Sequence, residues 1–266
     1  MKVPVYGLDG KVKGDVNLGV AFSRPVRIDM IKRAVLAEQS SLRQPYGSDP
    51  LAGQRTSAKY KGRRGIRNSM MNREIARMKR IVAGGFLRFR ARSVPQAVKG
   101  RRTHPPKAVK NREKKINKKE RLLAFMSAIA GTADKKLITS RGHDVDDVKH
   151  IPLVLDDKFQ ELKKNKEVVS TLLALGLAKE LDRCSDKKTR AGRGKTRGRR
   201  IIKRKGPLIV IAEDKGIVNA SNNIPGVEIS TPKDLNVSAL APGTAPGRLT
   251  IWTKSAAAAV EKMAGS

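Results

Sequence analysis

Between Arg43 and Lys119 the chain carries two dozen Lys and Arg residues against only three acids, Asp49, Glu74 and Glu113. Up to about His104 this stretch is rich in Gly and small residues, and its apolar residues rarely recur at a helical or strand period. Such a segment buries too little apolar surface to offset its ordering entropy, so in isolation it is expected to be disordered. Both flanks carry globular patterns. The stretch therefore reads as a long basic arm inserted into a folded domain, with a polyanion as its natural partner. Residues 1–42 and 108–266 are assigned to the globular part and 43–107 to the extension.

The flanks set the fold class. Val3 and Val5 alternate toward Asp9-Gly10, a hairpin-type turn dipeptide. Ile28, Ile31, Val35 and Leu36 have helical spacing, with Pro25 expected in the first turn and an end near Ser40–Ser41. Asn117 and Glu120 have the spacing of a capping box before Leu122, Phe125, Met126 and Ile129, with Gly131 as the stop. A short helix is expected over Ala133–Ser140. Ile151–Leu155 reads as a buried strand, and Val168–Leu175 as a helix ended by Gly176, with further helical turns over Leu177–Asp182. Pro207–Ala212 is the best strand in the chain. Val227–Ile229 and Leu249–Trp252 are further strands, and Ala256–Met263 a terminal helix. Strands alternating with helices predict an α/β domain, Rossmann-like and three-layered, with a mainly parallel sheet flanked by helices and a largely extended basic insertion.

Within the arm, Tyr60–Ser69 mixes Gly with Arg, which suits close backbone approach to phosphate and bidentate guanidinium contacts. Met71, Ile75, Met78 and Val82 are spaced for one short basic helix. Pro95, Pro105 and Pro106 predict an extended, stiff path over Ser93–Lys107. At roughly 3.3 Å per residue, out and back, the arm reaches several tens of ångströms.

The net charge of +34 makes a compact free protein repel itself, and an anionic partner relieves this. No apolar run approaches the roughly 20 residues that span a bilayer, and the N-terminus meets acids and a turn too early for a signal peptide. The cations fall in Gly-broken clusters rather than on one amphipathic face, so nucleic acid is favoured over a membrane. A single Cys184 excludes an internal disulfide and suits a reducing compartment. Aromatic residues are only 3% of the chain and scattered, so phosphate and shape contacts are expected to outweigh base stacking.

A second basic block, residues 183–205, holds a dozen cations against one acid, Asp186, and reads as an RNA-binding loop within the globular part. At its heart, Arg190–Arg200 (RAGRGKTRGRR), glycines alternate with cations, a pattern that lets backbone N–H groups and side chains converge on phosphate. Gly194-Lys195-Thr196 resembles the end of a P-loop, but that motif needs Gly where Thr189 stands, after an apolar strand and before a helix. The candidate RNA-contacting residues in the arm are Arg43, Arg55, Lys59, Lys61, Arg63, Arg64, Arg67, Arg73, Arg77, Arg80, Arg88, Arg90, Arg92, Lys99, Arg101, Arg102 and Lys107. In the block they are Arg190, Arg193, Lys195, Arg197, Arg199, Arg200, Lys203 and Arg204. His143, Asp144, Asp146, Asp147 and His150 form the one cluster with the residue types for metal or acid–base chemistry; a loop before the strand at Ile151 is the plainer reading. No Cys/His spacing suggests zinc and no nucleophile–His pairing is readable, so neither a cofactor nor a metal is expected.

Several separate stretches resemble the large-subunit ribosomal protein four family in its archaeal and eukaryotic form. They are SVPQAVKGRRTHPPK (Ser93–Lys107), SRGHDVDDVKHIPLVLDD (Ser140–Asp157), RAGRGKTRGRR (Arg190–Arg200), NIPG (Asn223–Gly226), LNVSALAPG (Leu235–Gly243) and GRLTIWTKSA (Gly247–Ala256). They occur in order over nearly the whole chain, and DPLAGQRTSAK (Asp49–Lys59) looks archaeal. The resemblance implies a cytoplasmic ribosomal protein, not an enzyme, whose α/β domain lies on the outer face of the large subunit. Its extension would thread through large-subunit rRNA to the peptide exit tunnel. There the tip, between Lys61 and Phe89, would help line the constriction beside the nascent peptide and opposite the L-twenty-two family protein. Met70–Arg80 departs most from the family pattern, being more basic and more helical in appearance. The rivals are an RNA-acting enzyme using the His143–His150 cluster and a regulatory RNA-binding protein acting off the particle.

Overall fold

A computed structural model describes residues 1–82 and 84–265; Ala83, within the span expected for the arm tip, lies outside the described residues. The chain divides into two units, Met1–Leu42 with Glu113–Ser266, and Arg43–Arg112.

The first unit opens with a hairpin, β1 (Lys2–Tyr6) and β2 (Val12–Asn17), turning through Asp9-Gly10, where Gly10 has φ 70°. Then come α1 (Val20–Ser23), α2 (Ile28–Ser41), α3 (Lys118–Gly131), α4 (Lys135–Ser140) and β3 (Leu153–Leu155). Next are α5 (Asn165–Ala174), α6 (Ala178–Ser185), β4 (Lys188–Thr189), β5 (Ile201–Ile202) and β6 (Leu208–Val210). The unit closes with α7 (Ile217–Ser221), β7 (Glu228–Ser230), α8 (Val237–Leu240), β8 (Thr250–Thr253) and α9 (Lys254–Gly265).

The main sheet has the order β2-β1-β3-β8-β6-β7; β1 and β2 pair antiparallel, and every other neighbouring pair is parallel. The fold is thus mixed α/β with a mostly parallel central sheet flanked by helices. Strand composition explains the placement. Leu153–Leu155, Leu208–Val210 and Thr250–Thr253 are buried at every position, as interior parallel strands must be when both faces are covered. At the exposed edge, β2 carries Lys13 and Asp15, which discourage further strand pairing.

Alternation sends the strand residues to two cores. Val3, Val5, Val154, Leu208, Val210 and Trp252 pack with residues of α1, α2, α3, α8 and α9. Tyr6, Leu153, Leu155, Ile209 and Ile251 pack on the other face with residues of α4, α5 and α7. Trp252 meets Phe22 edge to face, with centroids 5.3 Å apart and planes at 82°. At the C-terminal ends of β3 and β8, where open parallel sheets commonly hold ligands, Gln160 occupies the space. Its Nε2–H₂ donates to Asp157 Oδ1 (3.2 Å) and Ser255 Oγ (3.1 Å), and its Oε1 accepts from the Glu213 N–H (2.9 Å).

Two local expectations in this unit need correction. Helix α2 starts at Ile28, so Pro25 stands before it rather than in its first turn. Asn117 occupies the N-cap position of α3, but its side chain makes no capping bond; Glu120 instead accepts from Arg33 Nη1 (3.1 Å), a partner 87 residues away. A charged tertiary partner has drawn Glu120 away from the local box.

The second unit, Arg43–Arg112, contains turns, bends and two isolated bridges, Lys59 with Arg80 and Arg80 with Ala91. The helix expected over Met71–Val82 is absent: Asn72 (φ 54°) and Glu74 (φ 52°) are left-handed, which no right-handed helix accommodates. Ser93–Lys107 is not uniformly extended either. Val94–Gly100 winds through turns closed by Ala97 N–H to Val94 O (3.2 Å) and Gly100 N–H to Ala97 O (2.9 Å). Among the described residues of the unit, the buried apolar ones are Ala58, Met70 and Ile81. That is too little to dictate a regular element, so backbone bonds and guanidinium contacts set the path instead.

Candidate nucleic-acid interface

In the Arg43–Arg112 unit, three segments are cross-linked by backbone bonds. Lys59 and Arg80 exchange N–H to O bonds of 3.0 and 3.2 Å, Ile81 donates to Arg90 O (3.1 Å), and Arg92 donates to Lys79 O (3.0 Å). Arg80 sits at the crossing; its guanidinium donates to Phe89 O (2.8 Å) and Ala76 O (2.9 Å). Other arginines stack on the unit's aromatic rings. Arg73 lies 4.3 Å from the Phe89 centroid and Arg88 5.1 Å, Arg90 3.9 Å from that of Phe86, and Arg112 3.8 Å from that of Tyr46. Tyr46, Phe86 and Phe89, three of the unit's four aromatic residues, are thus guanidinium partners here. Near the unit's ends Ser48 N–H donates to Pro106 O (3.0 Å). A Cβ on Gly100 would overlap the carbonyl oxygen of Val94, so only glycine fits that turn.

Six of the seven described non-glycine residues with positive φ lie in this unit: Asn68, Asn72, Glu74, Phe89, Ser93 and Lys99. Each such conformation costs about 1–2 kcal/mol in an L-residue, less for Asn. Little apolar burial lies beside these turns to offset that cost.

The basic block of the globular unit is a short hairpin. Strands β4 and β5 pair antiparallel, Arg190 N–H donates to Arg200 O (2.7 Å), and a 3-10 turn over Gly192–Arg197 ends at Gly198 in the left-handed region (φ 78°). Arg190 Nε–H donates to Arg199 O (3.0 Å), bracing the loop from within. Arg193, Lys195, Arg197, Arg199 and Arg200 project around it, all exposed and, among the described residues, without a side-chain hydrogen bond or ion pair.

What holds this hairpin is a buried ion pair. Glu180 on α6 is wholly buried and accepts from Arg183 Nε–H (2.8 Å) and Nη2–H (2.7 Å) and from the Asp144 N–H (3.1 Å); its Oε1 is 2.7 Å from His143 Nδ1. Burial pushes the Glu180 carboxyl up, but the Arg183 and His143 contacts outweigh it and bring the carboxyl down to about 2. Burial pushes the His143 imidazole below its ordinary value against the pull of Glu180, so at neutral pH the ring is uncharged and donates Nδ1–H. Arg183 also donates to Lys205 O (2.9 Å), which ties the two ends of the 183–205 segment together. Lys205 pairs with Glu228, and Glu228 Oε2 accepts from the fully buried Arg248 (2.7 Å).

The candidate chemistry at His143–His150 dissolves into structural roles. His143 is in the buried pair just described, Asp147 pairs with Lys179 (3.1 Å), Val145 and Val148 are core residues, and His150 is exposed. Among the described residues no group of three His, Cys, Asp or Glu side chains could hold a metal ion.

The proposed RNA-contacting residues separate into two groups. Arg55 pairs with Asp49, Arg204 with Asp186 (2.5 Å), and Arg73, Arg80, Arg88, Arg92 and Arg190 bond to protein oxygens. Arg90 is stacked, and Lys61 reaches Arg67 O at 3.5 Å. Among the described residues, Arg43, Lys59, Arg63, Arg64, Arg67, Arg77, Lys99, Arg101, Arg102, Lys107 and Lys203 join the hairpin-loop cations in having no protein partner for the side chain. All of these are exposed except the half-buried Arg101. Sequence reasoning missed Arg183 as the anchor of the hairpin; its helical spacing three residues after Glu180 was the available signal. It also missed Arg112 and Tyr46, 66 residues apart, which no local pattern connects.

A family model described as the Ribosomal protein L4/L1 family matches residues 16–263. The chain is 46% identical over 260 residues to the large ribosomal subunit protein uL4 of Nanoarchaeum equitans, covering 96% of each chain. To the uL4 protein of Methanococcus maripaludis it is 43% identical over 268 residues, covering 100% of this chain and 99% of that one. To that of Archaeoglobus fulgidus it is 44% identical over 257 residues, covering 96% of each. The chain therefore belongs to the Ribosomal protein L4/L1 family, a family of ribosomal proteins and not of enzymes.

Proposed function

We propose that this protein is a structural component of the large ribosomal subunit in the cytoplasm, binding large-subunit rRNA through both the Arg43–Arg112 unit and the Arg190–Arg200 loop. The observation that carries this reading is the group of exposed guanidinium and ammonium groups that have no protein partner among the described residues, in both segments. Free cations at this density repel one another, and phosphates placed among them release counterions and relieve the repulsion. Cations already bonded to the chain, such as Arg80 and Arg190, hold the turns from which the free ones project.

On this reading the globular unit is a Rossmann-like three-layer scaffold formed by residues 1–42 and 108–266, and residues 43–107 are an extension that draws out along rRNA as the subunit assembles. Its tip, between Lys61 and Phe89, helps line the peptide exit tunnel constriction, facing the nascent peptide and a neighbouring protein of the L-twenty-two family. The left-handed backbone at Asn68, Asn72 and Glu74 supports a partner-dependent conformation there.

Sedimentation tests the core of this proposal. In a low-salt gradient the protein co-migrates with large subunits, and raising the salt releases it only when the subunit itself loosens. A protein that stays at the top of the low-salt gradient refutes the assignment.

A further inference from the structure

Within the Arg43–Arg112 unit, Tyr46, Arg102, Pro105, Pro106, Lys107 and Arg112 line an open cavity of about 700 Å³. Tyr46 is exposed, but its ring is not free to wander. The Arg112 guanidinium lies 3.8 Å from the ring centroid and is itself fixed by donating to the carbonyls of Tyr46 (2.8 Å) and Lys107 (3.2 Å). The nearby backbone is pinned by the Ser48 to Pro106 bond. Among the described residues no acid lines the cavity, and Lys110 adds a further cation to its wall. A preset aromatic plane, two proline rings and a rim that also holds His104 and Val109 and whose charged groups are all cations therefore surround one space.

We propose that this cavity takes one unstacked nucleotide of an RNA strand. The base lies against the Tyr46–Arg112 stack and the prolines, and its phosphate lies between Arg102 and Lys107. This rests on the rRNA-binding reading above and narrows it to a base-accepting site, which the charge pattern alone does not require. A bare phosphate would use the cations and leave the aromatic and proline walls without a role. A duplex keeps its base faces stacked inside and would offer Tyr46 nothing to cover, whereas every unstacked base presents a π-face. An acidic peptide could satisfy the rim but has no planar group for the ring.

The test is ultraviolet crosslinking of large subunits containing the full chain, with adducts located by mass spectrometry. A nucleotide adduct at Tyr46 or within residues 102–107 is expected. RNA adducts elsewhere on the chain without one here, or a protein crosslink at Tyr46, overturn the pocket while leaving the rRNA reading intact; no RNA adduct anywhere overturns both. A second arm compares Tyr46→Phe with Tyr46→Ala on transcribed large-subunit rRNA. Loss of base stacking predicts binding about 5- to 100-fold weaker for Y46A, near wild-type binding for Y46F, and an unchanged salt dependence, because no phosphate contact is removed. Wild-type affinity in Y46A, equal losses in both variants, or a flattened salt dependence contradicts the proposal.

Discussion

Glu180→Gln removes the charge under the basic hairpin while keeping the shape of the side chain. The carboxyl titrates near 4.5 ordinarily and at about 2 in the fold. At about 1.4 kcal/mol per pH unit, that difference is worth roughly 3 kcal/mol at neutral pH. Arg183 retains some exposure and can turn partly toward water once its partner is neutral, so the expected destabilisation is about 2–3 kcal/mol. Urea unfolding followed through the fluorescence of Trp252, the sole Trp and fully buried in β8, reads the globular unit directly. With a slope of ~1–3 kcal/mol per M urea, the midpoint falls by about 0.7–3 M. The pH dependence supplies an independent check of sign. The unfolded carboxyl takes its proton near 4.5 and the folded one only near about 2, so the stabilisation is complete above pH 4.5 and is lost as pH falls through that interval. The difference between wild type and E180Q should therefore shrink below pH 4.5. An unmoved midpoint at pH 7, or a difference that stays constant down to pH 3, would refute the assignment of Glu180 as a charged anchor.

Replacing Arg197, Arg199 and Arg200 together with Ala should weaken rRNA association and reduce the slope of log affinity against log salt by about 2–3; an unchanged slope removes the loop from the interface. Gly100→Ala places a Cβ against the Val94 carbonyl oxygen and should open the Val94–Gly100 turn, seen as faster tryptic cleavage within Arg43–Arg112. Cleavage at the wild-type rate would show that the turn tolerates a side chain. Burial, with Glu180 beside it, pushes the Cys184 thiol up to about 11, so at pH 8 alkylation should be slow and should follow the urea unfolding curve. Rapid labelling of the native protein would contradict that burial.

Short-range patterning was sufficient for most of the globular elements. The valine alternation before Asp9-Gly10 gave the first hairpin, the helical spacing from Ile28 gave α2, and Gly176 (φ 82°) ends the helix that the Val168–Leu175 pattern foretold. These follow from side-chain period and backbone stereochemistry, which depend only on near neighbours. The cationic density of both basic segments and the residues that carry the family resemblance were equally legible. Where the reading failed, a distant group had intervened. Glu120 met Arg33 instead of closing a capping box, and the apolar spacing of Met71–Val82 gave way to left-handed turns braced by Arg80 across Phe89 and Ala76.

The sequence by itself determined that this chain is an α/β protein with two strongly cationic segments, because composition and period act residue by residue. Only the tertiary structure decided which cations hold the protein together and which remain free. Arg183 and Arg248 are drawn inward by Glu180 and Glu228, while Arg197, Arg199 and Arg200 are left facing solvent. Arginines are alike in sequence. The difference arises because a charge is stable in the interior only beside a fixed counter-charge, and those carboxylates are brought into place by the packing of α6 and β7.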